Sequence, residues 1–383
     1  MVQEIRKMRF EEVYSRWTER RLTQEEAAEI LGVSDRTFRR YIDRWDDEGA
    51  EGLLAKRLSQ TSSRRAPVDE VFAVAGQYER YRGWSVRHFY REYRAAHGTR
   101  SYTWVKNSLQ SKGMVPKAAK RGVHRKRRER APLPGMMLHQ DGSRHEWVQG
   151  KMWDLIVTMD DATNEHYSMF FVEEEGTASS FQGVRDVIIR KGLFSSLYTD
   201  RGSHYWLTPK EGGKVSKTQL TQFGRAMRQL GIQMIAAYSP QARGRSERAF
   251  QTHQDRLVKE LALHDITSLR EANRYLAQVY MPAFNAEFAK PALEEGSAFV
   301  PWVGGKLDDI LCEHTERTVS ADNCVGFRGM KLQIPANPYR CHYVRATVRV
   351  HRYLDGSLAV FHGPRKLADY DPRGKLKEVK KAA

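Results

Sequence analysis

The sequence predicts a multidomain chain: α-helical helix-turn-helix units, then an α/β core with a mixed five-stranded sheet, then a small C-terminal β-barrel. Three observations predict it. Apolar residues recur at helical spacing, with start and stop residues in place, over 1–58 and again over 67–116. Strand-like and helix-like runs alternate over 136–265. From roughly Thr318 onward only short strands appear, broken at turns such as Asp355-Gly356.

The chain of 383 residues has a net charge of +17 and a pI near 9.7. Neutralising phosphates releases counterions, so this balance points to a polyanion, and to nucleic acid ahead of a membrane surface. No long apolar run appears, which argues against a membrane span. The start, MVQEIRKMRFEEVYSRW, lacks the apolar stretch of a secretory signal, so a cytoplasmic protein is expected. Cys312, Cys324 and Cys341 are widely spaced and odd in number. They fit neither a disulfide framework nor a CxxC zinc site, and reduced, buried thiols are expected.

In the first unit, Thr23 and Glu26 have the spacing of a capping box, and Ala27, Ala28, Ile30 and Leu31 supply an apolar face. Gly32 suits the turn, because a left-handed backbone costs glycine nothing. Ser34 caps the next helix, which packs through Phe38, Tyr41 and Ile42 and leaves Arg36, Arg39, Arg40 and Arg44 facing outward. That is the pattern of a recognition helix that reads DNA. A solvated helical hairpin is the plainer alternative. After SQTSSRRAP, the run WSVRHFYREYRAAHG reads as a helix ending at Gly98. Ser101 then opens SYTWVKNSLQSKG, where Tyr102 and Lys106 suit a second DNA-reading helix.

Residues 117–135 form a basic linker. Eight cations fall between Lys117 and Arg130, including Arg125, Lys126, Arg127 and Arg128, and such a run stays extended unless phosphates neutralise it. Pro132, Leu133, Pro134 and Gly135 end it. A DNA-contacting arm is expected there.

MMLHQDGSRHEWV, MWDLIVTMDDAT and HYSMFFVEEE read as three consecutive strands. TASSFQGVRDVIIRKGL is a helix, SSLYTDRGSHY a fourth strand running into a loop, and TQLTQFGRAMRQLG a helix. IQMIAAYSP is a fifth strand, and GRSERAFQTHQDRLVKEL a long amphipathic helix. This is the element order of an RNase H-like core. A helical connector covers 266–316, the barrel 317–372, and a loose basic tail 373–383.

Three carboxylates fall where such a core would gather them. Asp141 lies in the first strand, Asp200 closes the apolar run LYTD of the fourth, and Glu247 starts the last helix after SPQARGRS. Hard divalent cations prefer oxygen donors, so Asp141, Asp200 and Glu247 would hold two Mg²⁺ (or Mn²⁺) ions. One ion would activate an attacking water or hydroxyl and the other would stabilise the leaving oxygen. An Asp at a strand end is more often a cap, so the conjunction carries the weight. Asp160 and Asp161 read as turn residues, and Glu173, Glu174 and Glu175 as a solvated cluster. Asp255 is too far along its helix to share an ion, and His253 lacks cysteine partners for zinc. His139, His145 and His204 flank the aspartates and read as satisfied core or surface histidines.

HQDGSRHEWV, YTDRGSHY and YSPQARGRSERAFQTHQDRL resemble the three catalytic blocks of DDE transposases and retroviral-type integrases. The QDGS–H–W block and FNAEFAKP at 284–291 are most similar to ISNCY-type bacterial insertion-sequence transposases. The resemblance spans nearly the whole chain. It implies an oligomer, a dimer or higher on DNA, that binds terminal inverted repeats and frees a 3′-hydroxyl at each end. That hydroxyl would then attack target DNA with no covalent protein–DNA intermediate. Two departures stand out. The interval from Asp200 to Glu247 is 47 positions, long for the family, with the excess in WLTPKEGGKVSK. Gln251 and Gln254 stand where relatives often carry a basic residue, so DNA contacts on that helix fall to Arg248 or Arg256, or are made elsewhere; Arg243 and Arg245 before it are also expected on DNA. A nuclease without strand transfer and a non-catalytic DNA-binding regulator remain the alternatives.

Overall fold

In the computed structural model Thr23 and Glu26 close the capping box that their spacing predicts. The Thr23 N–H donates to the Glu26 carboxylate at 2.8 Å, and the Glu26 N–H donates to Thr23 Oγ1 at 3.3 Å. The structure describes residues 2–54, 66–117, 129–208, 213–216, 218–238, 244–336, 338 and 340–377, with side chains from residue 7 onward. Its contacts divide into two units, Met1–Arg82 with Arg100–Pro116, and Gly83–Thr99 with Lys117–Ala383.

The first unit begins with α1 (Val2–Thr18), α2 (Gln24–Leu31) and α3 (Asp35–Glu48) around Phe10, Val13, Ala27, Ala28 and Phe38. Gly32 turns between α2 and α3 at φ 66°, and Ser34 Oγ accepts the Thr37 N–H. Ile30, expected on the apolar face, is 43% exposed, because the buried stripe of α2 runs through Ala27, Ala28 and Leu31 and leaves it to one side. α4 (Val68–Glu79) follows; α5 (Val86–Ala95) belongs to the second unit. α6 (Tyr102–Ser111), capped by Ser101, returns to the first unit and buries Val105 and Leu109.

The second unit holds β1 (Met137–Val148), β2 (Lys151–Asp160), β3 (His166–Val172), α7 (Thr177–Lys191) and β4 (Ser196–Thr199). It continues with α8 (Gln222–Gln229), β5 (Gln233–Ala236) and α9 (Ser246–Leu263). The sheet order is β3-β2-β1-β4-β5; β1, β2 and β3 pair antiparallel, while β4 and β5 run parallel to β1. This is the mixed five-stranded sheet that the element order predicts. Strand alternation gives the sheet two apolar faces. Leu138 and Leu197 meet Phe181, Val184, Phe223 and Met227 of α7 and α8, while Leu155, Val157 and Phe171 meet Phe250 and Leu257 of α9.

The connector is α10 (Leu269–Tyr275), a π turn over Leu276–Tyr280, and α11 (Met281–Phe288). Two asparagines of this connector cover the outer edge of β3. Asn273 exchanges hydrogen bonds with the Phe171 backbone at 2.6 and 2.9 Å, and Asn285 with that of His166 at 2.8 and 2.9 Å. Each side-chain amide thus stands in for a strand and satisfies an edge that would otherwise invite pairing.

β6 (Glu313–Thr318), β7 (Cys324–Phe327), β8 (Met330–Gln333), β9 (Thr347–Arg352), β10 (Leu358–His362) and β11 (Arg365–Tyr370) complete the chain. The predicted barrel does not close among the described residues. The strands form a four-stranded sheet, β11-β10-β9-β6, and a separate β7–β8 hairpin over a shared core that includes Val325, Val350, Leu358 and Tyr370. Closure would require β11 to meet β6, but residues beyond β11 double back on it, with Tyr370 bridging to Leu376. Cys312 and Cys324 are buried as expected, whereas Cys341, in the β8–β9 loop, is exposed. No helix among the described residues is long and apolar enough to cross a membrane.

A buried polar chain joins β3 to α9. His166 Nδ1 lies 3.1 Å from the Asn164 carbonyl, which can only accept, so that nitrogen carries the proton. With both rings neutral, His166 Nε2 accepts from His253 Nε2 at 3.0 Å, and His253 Nδ1 accepts from the Tyr280 hydroxyl at 3.0 Å. Burial pushes His166 down to about 4 from 6.5 and His253 well below it. Both residues are protonated more readily when unfolded, so they favour the folded state above pH 6.5 and withdraw that support as pH falls toward 4. Urea unfolding at a series of pH values should show this decline, and His166→Gln should flatten it.

Candidate active site

β1 positions the first carboxylate. Its pairing with β4 sets Leu138 against Leu197 and His139 against Tyr198, so Asp141 and Asp200 each follow the last pair by two residues. The two sides of β1 are marked by side-chain contacts. Gln140 donates to the Ser180 carbonyl of α7, whereas Ser143 accepts from Gln254 of α9 at 3.0 Å. Asp141 shares its parity with Ser143, so it lies on the face that α9 covers. It is 8% exposed, and its Oδ1 accepts the Gly142 N–H; Asp200 Oδ1 accepts the Gly202 N–H at 2.8 Å.

α9 is fastened along the same stretch of β1. Near its start Arg245 pairs with the buried Asp161 carboxylate, which also accepts from His139 Nε2 at 2.7 Å. Nine residues later Gln254 reaches Ser143. Nine residues of helix rise about 13 Å, and the four strand residues from His139 to Ser143 span about the same. Glu247, two positions after Arg245, is therefore carried over the part of β1 that leads to Asp141. Its side chain is exposed. Asp141 and Asp200 each lie two residues beyond the last β1–β4 pair, His139 with Tyr198, and Asp141, Asp200 and Glu247 are not drawn together to ligand spacing.

Side chains that the sequence reading placed elsewhere join this site. Glu175, read as solvated, is half-buried, and its Oε1 lies 3.4 Å from His204 Nε2. A Cβ at position 142 would come within 2.2 Å of Glu175 Oε2, so Gly142 leaves the room this carboxylate occupies. Tyr205 is buried and donates to Gln140 Oε1 at 3.2 Å. Burial, and then the negative charge of Glu175, Asp141 and Asp200, raise its hydroxyl well above its usual range. Asp160 and Asp161, read as turn residues, are both fully buried. Asp160 does serve the turn, accepting the Thr163 N–H at 2.9 Å. Burial alone would raise Asp161, but hydrogen bonds from His139, the Ala131 N–H and Arg245 outweigh it and hold the carboxyl well below the usual range. Local sequence carries no sign of these roles, which depend on β2 ending against β1 and the start of α9.

Among the basic residues expected on DNA, Arg36, Arg39, Arg40 and Arg44 are exposed along α3, and Arg248 is exposed on α9. Tyr102 and Lys106 are half-exposed on α6. Arg245 is bonded inward to Asp161, and Arg256 is buried in a two-pronged pair with Glu287 at 2.6 and 3.0 Å. Arg125, Lys126, Arg127, Arg128 and Arg243 lie outside the described residues.

Residues 15–54 match the model of a homeodomain-like domain, in agreement with the helix-turn-helix of α2 and α3. The chain is 30% identical over 358 residues to y4bF of Sinorhizobium fredii, a protein assigned as a transposase; the match covers 91% of this chain and 77% of that one. The chain belongs to the DDE transposase and integrase superfamily. This transposase is also 28% identical over 233 residues to the transposase for insertion sequence IS1202 of Streptococcus pneumoniae, covering 60% of this chain and 50% of that one. Among solved structures it resembles a chain of the simian T-cell lymphotropic virus intasome in complex with the PP2A regulatory subunit B56 gamma. That likeness has 15% identity and a TM-score of 0.34, covering 74% of this chain and 92% of that one. Membership makes the chain a polynucleotidyl transferase-type enzyme with a DNA-binding helix-turn-helix.

If Asp161 fastens α9, Asp161→Ala should lower the unfolding free energy of the core by roughly 3–5 kcal/mol, the usual cost of stranding a buried charge. Arg248→Ala, on the exposed side of the same helix, should change it by less than about 0.5 kcal/mol. Chemical denaturation followed by tryptophan fluorescence measures both, and equal effects would remove the anchor.

Proposed function

We propose that this transposase binds the terminal inverted repeats of an insertion sequence and catalyses metal-dependent 3′-end cleavage and strand transfer into target DNA. One observation carries the reading: Asp141 lies in β1, Asp200 directly follows β4, the strand paired with it, and α9 is anchored along β1 with Glu247 at its start. The donors are all carboxylate oxygens, which suits Mg²⁺ or Mn²⁺, two ions per site, held by Asp141, Asp200 and Glu247. When bound, the ions would lower the pKa of the attacking water or hydroxyl and stabilise the leaving oxygen. Glu175 adds a further negative charge beside Asp141, which favours cations in the site. Tyr205 remains a protonated, inward-donating hydroxyl, unsuited to attack on DNA, consistent with direct transesterification.

α3 would present Arg36, Arg39, Arg40 and Arg44 to the major groove, with Tyr102 and Lys106 of α6 as a second contact. The basic linker with Arg125, Lys126, Arg127 and Arg128, together with Arg243 and Arg248, would track phosphates. The working form would be a homo-oligomer on DNA in the bacterial cytoplasm. The domain divisions given above, with the catalytic core at 136–265, belong to the same proposal.

The test is incubation of the full chain with Mg²⁺ and a duplex carrying the terminal repeat. Nicked ends and strand-transfer products are expected. Asp200→Asn should lower both by more than about 100-fold, since losing even an outer partner of a metal ligand costs roughly 10–100-fold. End binding in a gel-shift should change less than about twofold, because the substituted residue lies outside the helix-turn-helix. Nicking without joining would favour a plain nuclease. Binding with neither reaction would favour a regulator, and an active Asp200→Asn would sink the carboxylate assignment.

A further inference from the structure

Cys312, just before β6, His314 in β6 and His351 in β9 each offer one ligand atom, and the three atoms lie within 4.8 Å of one another. Their convergence follows from strand geometry. Cys312 and His314 are two positions apart and so share a face, and His314 pairs directly with His351 across the antiparallel ladder. Cys312 is fully buried and His351 is 3% exposed, yet neither ring nitrogen of His351 has a hydrogen-bond partner. A buried polar atom left unpaired is costly and calls for an explanation. His314 Nε2 lies 2.9 Å from the Asp309 carbonyl. A carbonyl can only accept, so this nitrogen carries the proton and Nδ1 keeps its lone pair. A histidine ligand is commonly oriented in this way.

We propose that Cys312, His314 and His351 form a site for a thiolate-binding divalent metal of the zinc class, separate from the carboxylate site. One sulfur and two imidazole nitrogens suit Zn²⁺, whereas Mg²⁺ takes oxygen donors. With three protein ligands, the fourth tetrahedral position falls to solvent. Binding releases the thiol proton to solvent, forms one metal–sulfur and two metal–nitrogen bonds, and involves no redox step. The imidazoles now stack at 3.8 Å and 17°, with Phe361 on the other side of His351, so they must splay as the ion enters. The backbone beneath them is already held by α8. Gln222 exchanges hydrogen bonds with the His314 backbone at 2.8 and 2.9 Å, and Arg225 donates to the Cys312 carbonyl at 2.6 Å. The ion would therefore bind where the C-terminal sheet meets the catalytic core.

The full chain, purified, incubated with Zn²⁺ and desalted against a weak chelator, should retain about one zinc per chain by elemental analysis. Cobalt(II) in its place should give a sulfur-to-cobalt charge-transfer band and the intense visible bands of tetrahedral coordination. Cys312→Ser should abolish the charge-transfer band, and His351→Phe, which keeps the stack on Phe361, should lose the metal. Asp200→Asn should retain the full equivalent. If a variant fails to fold, alkylation of unaltered protein decides, at a urea concentration that lets the buried Cys312 react in the zinc-free chain: Zn²⁺ should protect Cys312 while leaving the exposed Cys341 reactive. No retained zinc, zinc lost in Asp200→Asn, or equal alkylation of Cys312 with and without zinc would overturn the site.

Discussion

The parallel pairing of β1 with β4, together with the antiparallel pairing of β1 with β2, places β1 at the centre of the sheet and makes it the reference for every group at the site. A strand's side chains alternate, so a slip of one residue would turn Asp141 from α9 toward α7. Register is fixed on both faces. Leu138 is locked among the side chains of α7 and α8, while Gln140 is tied to Thr158 and to the Ser180 carbonyl. Trp147 is fully buried on the opposite face, with its indole N–H donating to the Trp153 carbonyl at 3.0 Å. A carboxylate placed by a strand so constrained needs little further support.

The helix that carries Glu247 presents a different problem, because apolar packing alone lets a helix slide or turn. Each residue step rotates a helix by about 100°, so a small error would aim Glu247 away from the strand ends. α9 is fixed instead by directional contacts along its length. Arg245 meets Asp161, His253 meets His166, Gln254 meets Ser143, and Arg256 meets Glu287. Near its end Glu260 accepts from Arg91 at 2.8 Å and from Tyr275 at 2.7 Å, with His88 at 2.7 Å. Buried ion pairs add little net stability, because desolvation offsets their attraction. Their value here is geometric: several of them at once admit a single rotation and a single height.

The same distinction explains what could be read from the sequence. The element order and the helix-turn-helix rest on apolar period and local spacing, which a sequence displays directly, whereas the expectation for Glu247 rests on the resemblance of its block to a known family. The capping pair Thr23–Glu26 formed as its spacing required, being wholly local. The burial of Asp161 and Glu175 is not legible in this way, because burial of an acid depends on what packs over it, and those partners lie far along the chain. The open C-terminal sheet, where a barrel is expected, has a related reason. Short strands and turn residues reveal hairpins, but closure depends on whether the first and last strands meet, and here the chain beyond β11 takes that edge. Ile30 shows the limit on a smaller scale, since a short helix that packs through Ala27, Ala28 and Leu31 has no need of a further apolar side chain.

The attachment of the C-terminal sheet bears on how the enzyme would handle DNA. A module on a free linker samples many orientations, so ordering it on DNA has an entropic cost. This sheet is bolted to the core through Gln222 and Arg225, which hold the β6 segment, and through Arg185, which pairs with Asp308 at 2.7 Å beside Asp309, the acceptor of the Tyr353 hydroxyl. Arg185 lies on α7 and Gln222 and Arg225 on α8, so the sheet is fixed to two helices that themselves pack on the catalytic strands. Its exposed Arg317, Arg365 and Lys366 thereby belong to the same unit as Asp141 and Asp200. Contacts of this kind between sheet and core leave less to order on binding than a free linker would.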